Sequence, residues 1–274
     1  MTNSYKQKGL ECFFWPHSSH TENILNKLNL IETMNDFSQI FVVGDIHGCH
    51  ALLKQIHKQI LGKSNSARGN KLLIYLGDYI DRGAQIKETI QTLMEFQPDN
   101  FQQVFLLGNH EQMMLDFINK VPDSLYLWIL NGGDETLNSY GIKGAASFYD
   151  ETKSNETVHD ELVNNIPKDH LQFFNNLSLS YQWGKYFFVH AGIDPGVPLD
   201  KQDKKTLIWQ RGREFLFNTK TFEKVIVHGH TPQPEIEDLT NRINLDTGAF
   251  YTGTLSCLII ETKTGKKQFI NTTN

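Results

Sequence analysis

Apolar runs that end in polar, glycine-flanked loops recur along the first half of the chain. Residues 40–43, 72–76 and 101–107 have the continuous apolar character of buried strands, and each run precedes a segment with apolar residues at helical spacing. The residues that mark the three helices are Leu52, Leu53, Ile56 and Ile60; Ile86, Ile90, Leu93 and Met94; and Met114, Phe117 and Ile118. Three successive strand–loop–helix units predict a layered α/β fold whose loops lie side by side at the carboxyl ends of the strands.

The pattern changes after the third predicted helix. Between residues 119 and 168 the periodicity loosens and a polar stretch follows, which predicts a mostly helical insertion that overhangs the loops. Strands resume at residues 177–181, 186–189, 225–227, 243–246 and 254–260. We expect the last two of these runs to be the final strands of a second sheet.

Residues 1–38 form a polar extension with an apolar patch at 13–15 and a predicted helix at 22–31. We expect the patch to pack against the main domain, with a partner surface as the alternative. A chain of 274 residues is long enough for one large α/β domain or two small ones. We favour a single domain over residues 1–274, in which 1–38 and 119–168 are additions of open role.

Composition narrows the class of protein. The net charge of -5, from 26 basic and 31 acidic side chains, gives no electrostatic reason to expect nucleic acid as a partner. Three cysteines, Cys12, Cys49 and Cys257, are odd in number and far apart, so they indicate neither a disulfide framework nor a cysteine zinc site. No apolar run approaches the roughly 20 residues that span a bilayer, and residues 1–10 lack a signal-peptide core. We expect a soluble cytoplasmic protein without a membrane partner, with secretion by a route without a cleaved signal as the alternative.

Chemically capable side chains gather where the predicted strands end. They are Asp45, His47, Asp78, Asn109, His110, His190, His228 and His230. Any one of them has an ordinary structural explanation, because a lone histidine is usually a hydrogen-bonded residue and an aspartate beside glycine usually forms a turn. At least five successive strand-end loops carry such a residue, which predicts one shared site.

The residue types favour a metal centre. Imidazole, carboxylate and amide ligands without thiolate suit Mn²⁺, with Fe or Zn²⁺ as alternatives, and the supply exceeds the needs of one ion. Two divalent ions about 3.5–4 Å apart bind phosphoryl oxygens and activate a water molecule as the nucleophile. No cysteine nucleophile is then required, and Cys49 only begins a helix.

The loop motifs carry a resemblance to a known family. They are GDIHG (44–48), GDYIDRG (77–83), GNHE (108–111), HAG (190–192) and GHTP (229–232), with GNHEQMM (108–114), NGG (131–133), IWQR (208–211) and DTGA (246–249) as further similarities. The set resembles the metal-dependent phosphoprotein phosphatases, in particular their bacterial and lambda-phage type, over residues 39–260. The resemblance implies a four-layer metallophosphoesterase sandwich of two mixed β-sheets flanked by helices, with a mostly helical excursion over the site.

The resemblance also implies roles for individual residues. The implied metal ligands are Asp45 and His47 on the first ion, Asp78 on both ions, and Asn109, His190 and His230 on the second. His228 keeps a structural interpretation, because the family's ligand is the histidine that precedes Thr-Pro.

The remaining implied roles concern the substrate. His110 resembles the general acid and Asp81 its carboxylate partner, since a nearby carboxylate favours the imidazolium form. Arg82 and Arg211 match the phosphate clamps, together with Asn109 and His110 as phosphate-binding residues. Arg213 is the alternative to Arg211 if the register of that loop differs.

Three further residues are expected near the site. Glu111 is expected to support the site from behind, or to stabilise the amino terminus of its helix, without a catalytic role. Tyr251 and Thr136 are expected to lie near the opening.

These features predict a protein serine/threonine phosphatase, with phosphotyrosine as a further substrate class and a phosphoprotein or phosphopeptide as the partner. The nearest alternative is symmetrical hydrolysis of diadenosine tetraphosphate. In such enzymes the second motif typically lacks the carboxylate before Arg-Gly, the third ends in Asp and the fifth reads Gly-His-Trp, whereas this chain has Asp81, Glu111 and Thr231. A catalytically inactive phosphate-binding scaffold is the non-enzymatic alternative. The oligomeric state is left open.

Overall fold

The computed structural model describes residues 37–65, 68–143 and 153–273. The predicted helix at 22–31 and the apolar patch at 13–15 lie outside the described residues, as do residues 144–152 of the predicted insertion.

The first sheet has five strands. Their bounds are β1 Phe37–Val43, β2 Asn70–Tyr75, β3 Phe101–Phe105, β9 Ser256–Glu261 and β10 Lys267–Asn271. The strand order is β10-β9-β1-β2-β3, and β1, β2 and β3 are parallel as the strand–loop–helix units predict. The run at 254–260, which we expected in the second sheet, instead pairs antiparallel with β1, so that prediction was wrong. Every residue of Ser256–Ile260 is buried, and such a two-sided apolar run does not indicate which sheet it joins.

The second sheet also has five strands. Their bounds are β4 Ser180–Trp183, β5 Tyr186–Val189, β6 Val225–His228, β7 Glu237–Asp238 and β8 Arg242–Asn244, in the order β4-β5-β6-β8-β7. Strands β5, β6 and β8 are parallel, whereas β4 and β7 run antiparallel at the two edges. The strand predicted from residue 177 begins later, because Ser178 bridges to Leu106 at the end of the first sheet. The Ser178 carbonyl accepts a hydrogen bond of 2.8 Å from the backbone N–H of Leu107.

Alternating side chains along β1 show how the layers stack. Ile40 and Val42 pack between the two sheets, whereas Phe41 and Val43 pack against helices on the outer face of the first sheet. On the second sheet, Phe188 and Val227 face the first sheet. The predicted α/β sandwich of two mixed sheets flanked by helices is therefore confirmed.

The helices fill the outer layers and the insertion. Those that cover the first sheet or form the insertion are α1 His50–Ser64, α2 Ile86–Glu95, α3 Asn109–Ile118, α4 Ser124–Leu130, α5 Gly133–Ser139, α6 Asn155–Asn165 and α7 Lys168–Asn175. The described part of 119–168 is thus mostly helical, as predicted. Among the helices of the described ranges, none combines the length and the apolar character that a membrane span requires.

Three short helices had no signal in the sequence pattern. They are α8 Lys204–Trp209, α9 Arg213–Leu216 and α10 Ala249–Thr252, and a 3₁₀ turn lies at Leu199–Lys201. A helix of four to six residues is too short to display a helical period. Local capping sets the start of α8, because the Asp203 carboxylate accepts a hydrogen bond of 2.9 Å from the Thr206 N–H.

Candidate active site

The loops after β1, β2, β3, β5 and β6 meet at the carboxyl ends of the strands. Backbone hydrogen bonds join them: the Asp78 carbonyl accepts from the N–H groups of Ile46 and His47 at 3.0 and 2.8 Å. The His190 carbonyl accepts from the Gly229 N–H at 2.8 Å. The structure therefore brings together side chains that stand far apart in the sequence, as parallel strands require.

The Asp78 carboxylate lies at the centre of this cluster. Its Oδ2 atom is 3.5 Å from His47 Nε2 and 3.8 Å from His110 Nε2, and its Oδ1 atom is 3.3 Å from His190 Nε2. The described residues contain two groups of three side chains whose potential ligand atoms lie within 4.8 Å of one another. Asp78 belongs to both groups. One group contains His47 and His110, and the other contains His190 and His230.

The charge state of Asp78 follows from its neighbours. Burial alone would raise the pKa of Asp78, but the surrounding histidines, His190 first, outweigh it and hold the pKa well below its usual range. Burial lowers the pKa of His47, His190 and His230, which favours their neutral form. An ionised carboxylate among neutral imidazoles is the protonation state in which these residues ligate a metal ion.

Hydrogen bonds fix which histidine nitrogen faces the cluster. His47 Nδ1–H donates to the Ile80 carbonyl at 2.8 Å, and His190 Nδ1–H donates to the Leu76 carbonyl at 3.0 Å. Each ring therefore presents the Nε2 lone pair to Asp78. This arrangement, in which the outer nitrogen is held by a carbonyl, is typical of histidines that ligate metals.

Several nitrogen and oxygen atoms that can ligate a metal ion face one another at close range. His190 Nε2 is 3.0 Å from Asn109 Oδ1 and 3.3 Å from Asp78 Oδ1. Among the described residues, Asp45 Oδ1 and His230 Nε2 are buried without a hydrogen-bond partner. Buried polar atoms are normally paired, so this convergence of acceptors fits a divalent cation.

Asp45 is placed differently from the other candidate ligands. Its Oδ2 atom accepts a hydrogen bond of 2.9 Å from the His230 N–H, and it belongs to neither group of three. Burial, followed by the carboxylates of Asp246 and Asp78, raises the pKa of Asp45 well above its usual range. Such crowded carboxylates need nearby positive charge to stay ionised together.

The general-acid pair predicted from the sequence is in contact. His110 Nδ1–H donates to Asp81 Oδ2 at 2.6 Å, and Asp81 is fully buried. Burial lowers the pKa of His110, but the carboxylates of Asp78 and Asp81 outweigh it and raise the pKa above its ordinary value. His110 is therefore biased toward the protonated form.

The helical insertion holds Asp81 in place, which sequence reasoning missed. Trp128 Nε1–H lies 3.0 Å from both carboxylate oxygens, and Thr136 Oγ1 donates to Oδ1 at 2.5 Å. Thr136 is fully buried behind the site, so our prediction that it lies near the opening was wrong. The contacts cross 47 and 55 residues of sequence, and a buried tryptophan in a helix gives no sign of such a partner.

Arg82 lies across the cluster. Its Nη1 atom donates to Nε2 of His47 at 3.1 Å, and its Nη2 atom lies 3.0 Å from Nε2 of His110. The Arg82 N–H donates to the Gly132 carbonyl at 3.1 Å. Gly132 has φ 94°, and a Cβ atom there would lie 2.9 Å from Arg82 Cγ, so the NGG motif requires glycine at this position.

The second predicted clamp, Arg211, is exposed, and its Nη2 atom donates to the His230 carbonyl at 2.5 Å. Arg213, the alternative, packs over the ring of Phe217 at 5.5 Å. His228 belongs to neither group of three, and its Nε2 atom accepts from Arg242 Nη1 at 3.3 Å.

Glu111 joins the second and third loops from behind. Its Oε2 atom accepts from the N–H groups of Asp78 and Gly108, both at 3.0 Å. Its Oε1 atom accepts from the N–H groups of Tyr79 and Ile80 at 2.7 and 3.2 Å. All four donors are main-chain N–H groups, so the Glu111 carboxylate fixes the backbone that carries Asp78.

Two other residues at the site were given no role by the sequence. Asp246 is buried, and burial raises its pKa to about 6. Phe250 lies over the Arg82 guanidinium at 4.9 Å from the ring centroid. Asp246 begins the DTGA motif, which indicated the family without indicating a role.

Sequence comparisons match this chain to known proteins. The family model described as calcineurin-like phosphoesterase matches residues 38–253. Serine/threonine-protein phosphatase 2 of Salmonella typhimurium is 29% identical over 233 residues, which cover 80% of this chain and 92% of that protein. The asymmetrical bis(5'-nucleosyl)-tetraphosphatase PrpE of Anoxybacillus flavithermus is 27% identical over 244 residues, which cover 79% and 88%.

Solved structures share the fold. The cold-active protein-tyrosine phosphatase of a Shewanella species has a TM-score of 0.53 at 17% identity, and the match covers 85% of this chain and 80% of that one. A crystal structure described as that of a candidate diadenosine tetraphosphatase has a TM-score of 0.58 at 19% identity, and covers 86% and 95%.

The Glu111 contacts give a prediction for Glu111→Gln. An amide has one acceptor oxygen, so its NH₂ group would face two of the four N–H donors. We expect the free energy of unfolding to fall by about 1–3 kcal/mol, the cost of unsatisfied buried polar groups, and turnover to fall as well. Denaturant unfolding and phosphatase assays measure the two effects. Glu88→Gln, an exposed change in the first turn of α2, is the matched control. An unaltered stability and rate for Glu111→Gln would contradict the role.

Proposed function

Because this chain belongs to the calcineurin-like phosphoesterase family, and is therefore a metal-dependent phosphoesterase, we propose that it dephosphorylates phosphoserine and phosphothreonine in proteins. The observation that carries this proposal is the His110–Asp81 pair at 2.6 Å beside Arg82. A serine or threonine alkoxide is a strongly basic leaving group and needs a proton as it departs. A nucleotide leaving from a phosphoanhydride is a much weaker base, so a dedicated acid matters less there.

The candidate ligands support two divalent ions. Asp78, Asn109, His190 and His230 would hold one ion. Asp78, His47 and Asp45 would hold the other, and Mn²⁺ suits this donor set, with Fe or Zn²⁺ as alternatives. When bound, two such ions would neutralise phosphoryl oxygens and lower the pKa of water. Asp78 is the one side chain shared by both groups of three in the described residues, which supports its role as the bridging ligand.

The protein's own side chains then bind and orient the phosphate. Arg82 presents a forked pair of donors over the cluster, and this geometry suits two phosphate oxygens. Arg211 donates from Nη2 to the His230 carbonyl, and its side chain is exposed, so a bound phosphate could reach it. Both guanidiniums would strengthen their contacts as negative charge builds up in the transition state.

His110 would deliver the proton to the leaving oxygen. Asp81 holds Nδ1–H, so the transferable proton is on Nε2, the atom that faces Arg82 and Asp78. Trp128 and Thr136 hold Asp81 in turn, which restricts the ring to one orientation. In this proposal the insertion contributes to catalysis through the orientation of His110.

A second candidate is hydrolysis of dinucleoside tetraphosphates. The relative from Anoxybacillus favours it, and that enzyme is named as asymmetrical, whereas the sequence motifs led us to consider the symmetrical reaction. The two candidate reactions would use the same metal ligands and differ in the leaving group, which is an alkoxide in one and a nucleotide in the other.

The two candidates are separated by one comparison of substrates. A Mn²⁺-loaded sample should release phosphate from a phosphothreonine peptide with a higher kcat/KM than it cleaves diadenosine tetraphosphate, because the acid assists only a basic leaving group. The same sample treated with a chelator is the control. Cleavage of the dinucleotide with an inert phosphopeptide would favour the second candidate, and inertness toward both substrates would favour a phosphate-binding scaffold.

The role of His110 predicts the behaviour of His110→Asn. Turnover of a phosphoserine peptide should fall by about 10²–10⁴-fold, the usual range for a lost general acid. The loss should be smaller for para-nitrophenyl phosphate, whose leaving group needs no proton. His159→Asn is the matched control, because His159 lies outside the cluster and contacts the Ile118 carbonyl. An equal loss on both substrates would argue against proton donation.

A further inference from the structure

Asp246 is a buried carboxylate to which the proposed mechanism assigns no role. It is 3% exposed and lies in the loop that follows β8. Strand β8 pairs in parallel with β6, and the loop after β6 carries His230. Parallel strands bring their carboxyl ends to one edge of a sheet, so Asp246 reaches the same edge as the candidate metal ligands. Aspartate is rarely buried to this extent without a partner of opposite charge or a metal ion.

The backbone places Asp246 beside Asp45. The residues that precede them, Leu245 and Gly44, are in close contact, because a Cβ atom at Gly44 would overlap the Leu245 carbonyl oxygen. This approach therefore requires glycine at position 44. The Gly44 N–H also donates to the Ser256 carbonyl at 3.1 Å, which fixes the segment to the start of β9. The two chain segments thus meet one residue before their aspartates.

Hydrogen bonds hold the Asp246 loop against the loop of His230. Asn244 Nδ2 donates to the Thr231 carbonyl at 2.7 Å, and Asn244 Oδ1 accepts from the Asp246 N–H at 3.1 Å. The Asp246 carboxylate itself accepts a hydrogen bond of 2.9 Å at Oδ1 from the Gly248 N–H. A carboxylate has about four lone-pair positions, so this turn hydrogen bond does not exhaust its capacity as an acceptor.

Asp45 and Asp246 are two buried carboxylates that repel each other when both are ionised. Burial raises the pKa of Asp45, and the next cause is the Asp246 carboxylate, ahead of that of Asp78. Among the described residues, Asp45 Oδ1 is buried without a hydrogen-bond partner. A turn-forming aspartate gains nothing from such a neighbour, because the repulsion destabilises the metal-free protein. A bound divalent cation would reverse this balance, since it attracts each nearby carboxylate.

We infer that Asp246 is part of the first metal site and that its carboxylate raises the affinity of this site for a divalent ion. The inference rests on the proposed function, in which Asp45, His47 and Asp78 hold that ion. Groups that stand beside or behind metal ligands typically change metal affinity by about 10- to 100-fold. Asp246 adjoins Asp45, which would bind the first ion only, so the second ion should be affected much less.

The test is the Mn²⁺ affinity of Asp246→Asn in the full-length protein. Asparagine keeps the Oδ1 acceptor for the Gly248 N–H and removes the negative charge. Equilibrium dialysis over a range of Mn²⁺ concentrations, with elemental analysis, gives the two dissociation constants. One of them should rise by about 10- to 100-fold, and the other should change little. Anomalous scattering from crystals at limiting Mn²⁺ should show that the weakened ion lies beside Asp45 and that the ion beside Asn109 is retained.

Asp194→Asn is the matched control. Asp194 is exposed, and its Oδ1 atom accepts from the Gly196 N–H at 2.8 Å in a turn of the same kind. Both dissociation constants should keep their wild-type values in this variant. Thermal unfolding supplies a second readout. Without metal, Asp246→Asn should unfold at the wild-type temperature or above it, because one of the two repelling charges is gone. Added Mn²⁺ should then raise its unfolding temperature less than that of the wild-type protein.

Four results would overturn the inference while the proposed metal centre stands. They are unchanged dissociation constants in Asp246→Asn, an equal weakening of both ions, loss of the ion beside Asn109 instead, and a metal-free variant that is less stable than the wild-type protein but binds Mn²⁺ as tightly. The last result would show that the side chain only forms the turn. A wild-type protein that binds fewer than two ions would overturn the two-ion centre of the proposed function and this inference together.

Discussion

The buried charge of Asp78 is the constraint on which the site depends. A carboxylate that leaves water loses its hydration, and it stays ionised only if the protein surrounds it with compensating groups. Here Nε2 atoms of His47, His110 and His190 lie within 3.8 Å of its oxygens, and Glu111 holds the backbone beneath it. Asp45 and Asp246 add further buried carboxylates nearby. The arrangement has more acceptors than donors, a balance that a bound divalent metal ion would restore.

The backbone is strained where these side chains converge. Among the described residues, eight non-glycine residues have φ in the left-handed region, and five of them are candidate site residues. The five are His47, Asp78, Asp81, Arg82 and His230. Such conformations cost about 1–3 kcal/mol each and persist where the surrounding contacts hold them. Those contacts include the four N–H groups on Glu111 and the Gly132 carbonyl on Arg82.

Much of this architecture could be predicted because it is local. The three strand–loop–helix units show their periods within about 30 residues each, and parallel strands bring their carboxyl ends to one edge. Contacts between residues far apart in the sequence give no comparable periodic pattern. The sheet assignment of β9 was wrong because a run buried on both faces fits either sheet. The roles of Trp128 and Thr136 were missed because an indole or a hydroxyl in a helix looks the same with or without a distant carboxylate.

The central claim is that Asp78 is shared by two metal ions, and metal content tests it most directly. Elemental analysis after equilibrium dialysis against Mn²⁺ should give two ions per chain for the wild-type protein. Asp78→Asn should lose both ions together, whereas Asp200→Asn, on an exposed 3₁₀ turn, should keep two. A single ion in an active wild-type protein, or an Asp78→Asn protein that retains two ions, would contradict the account.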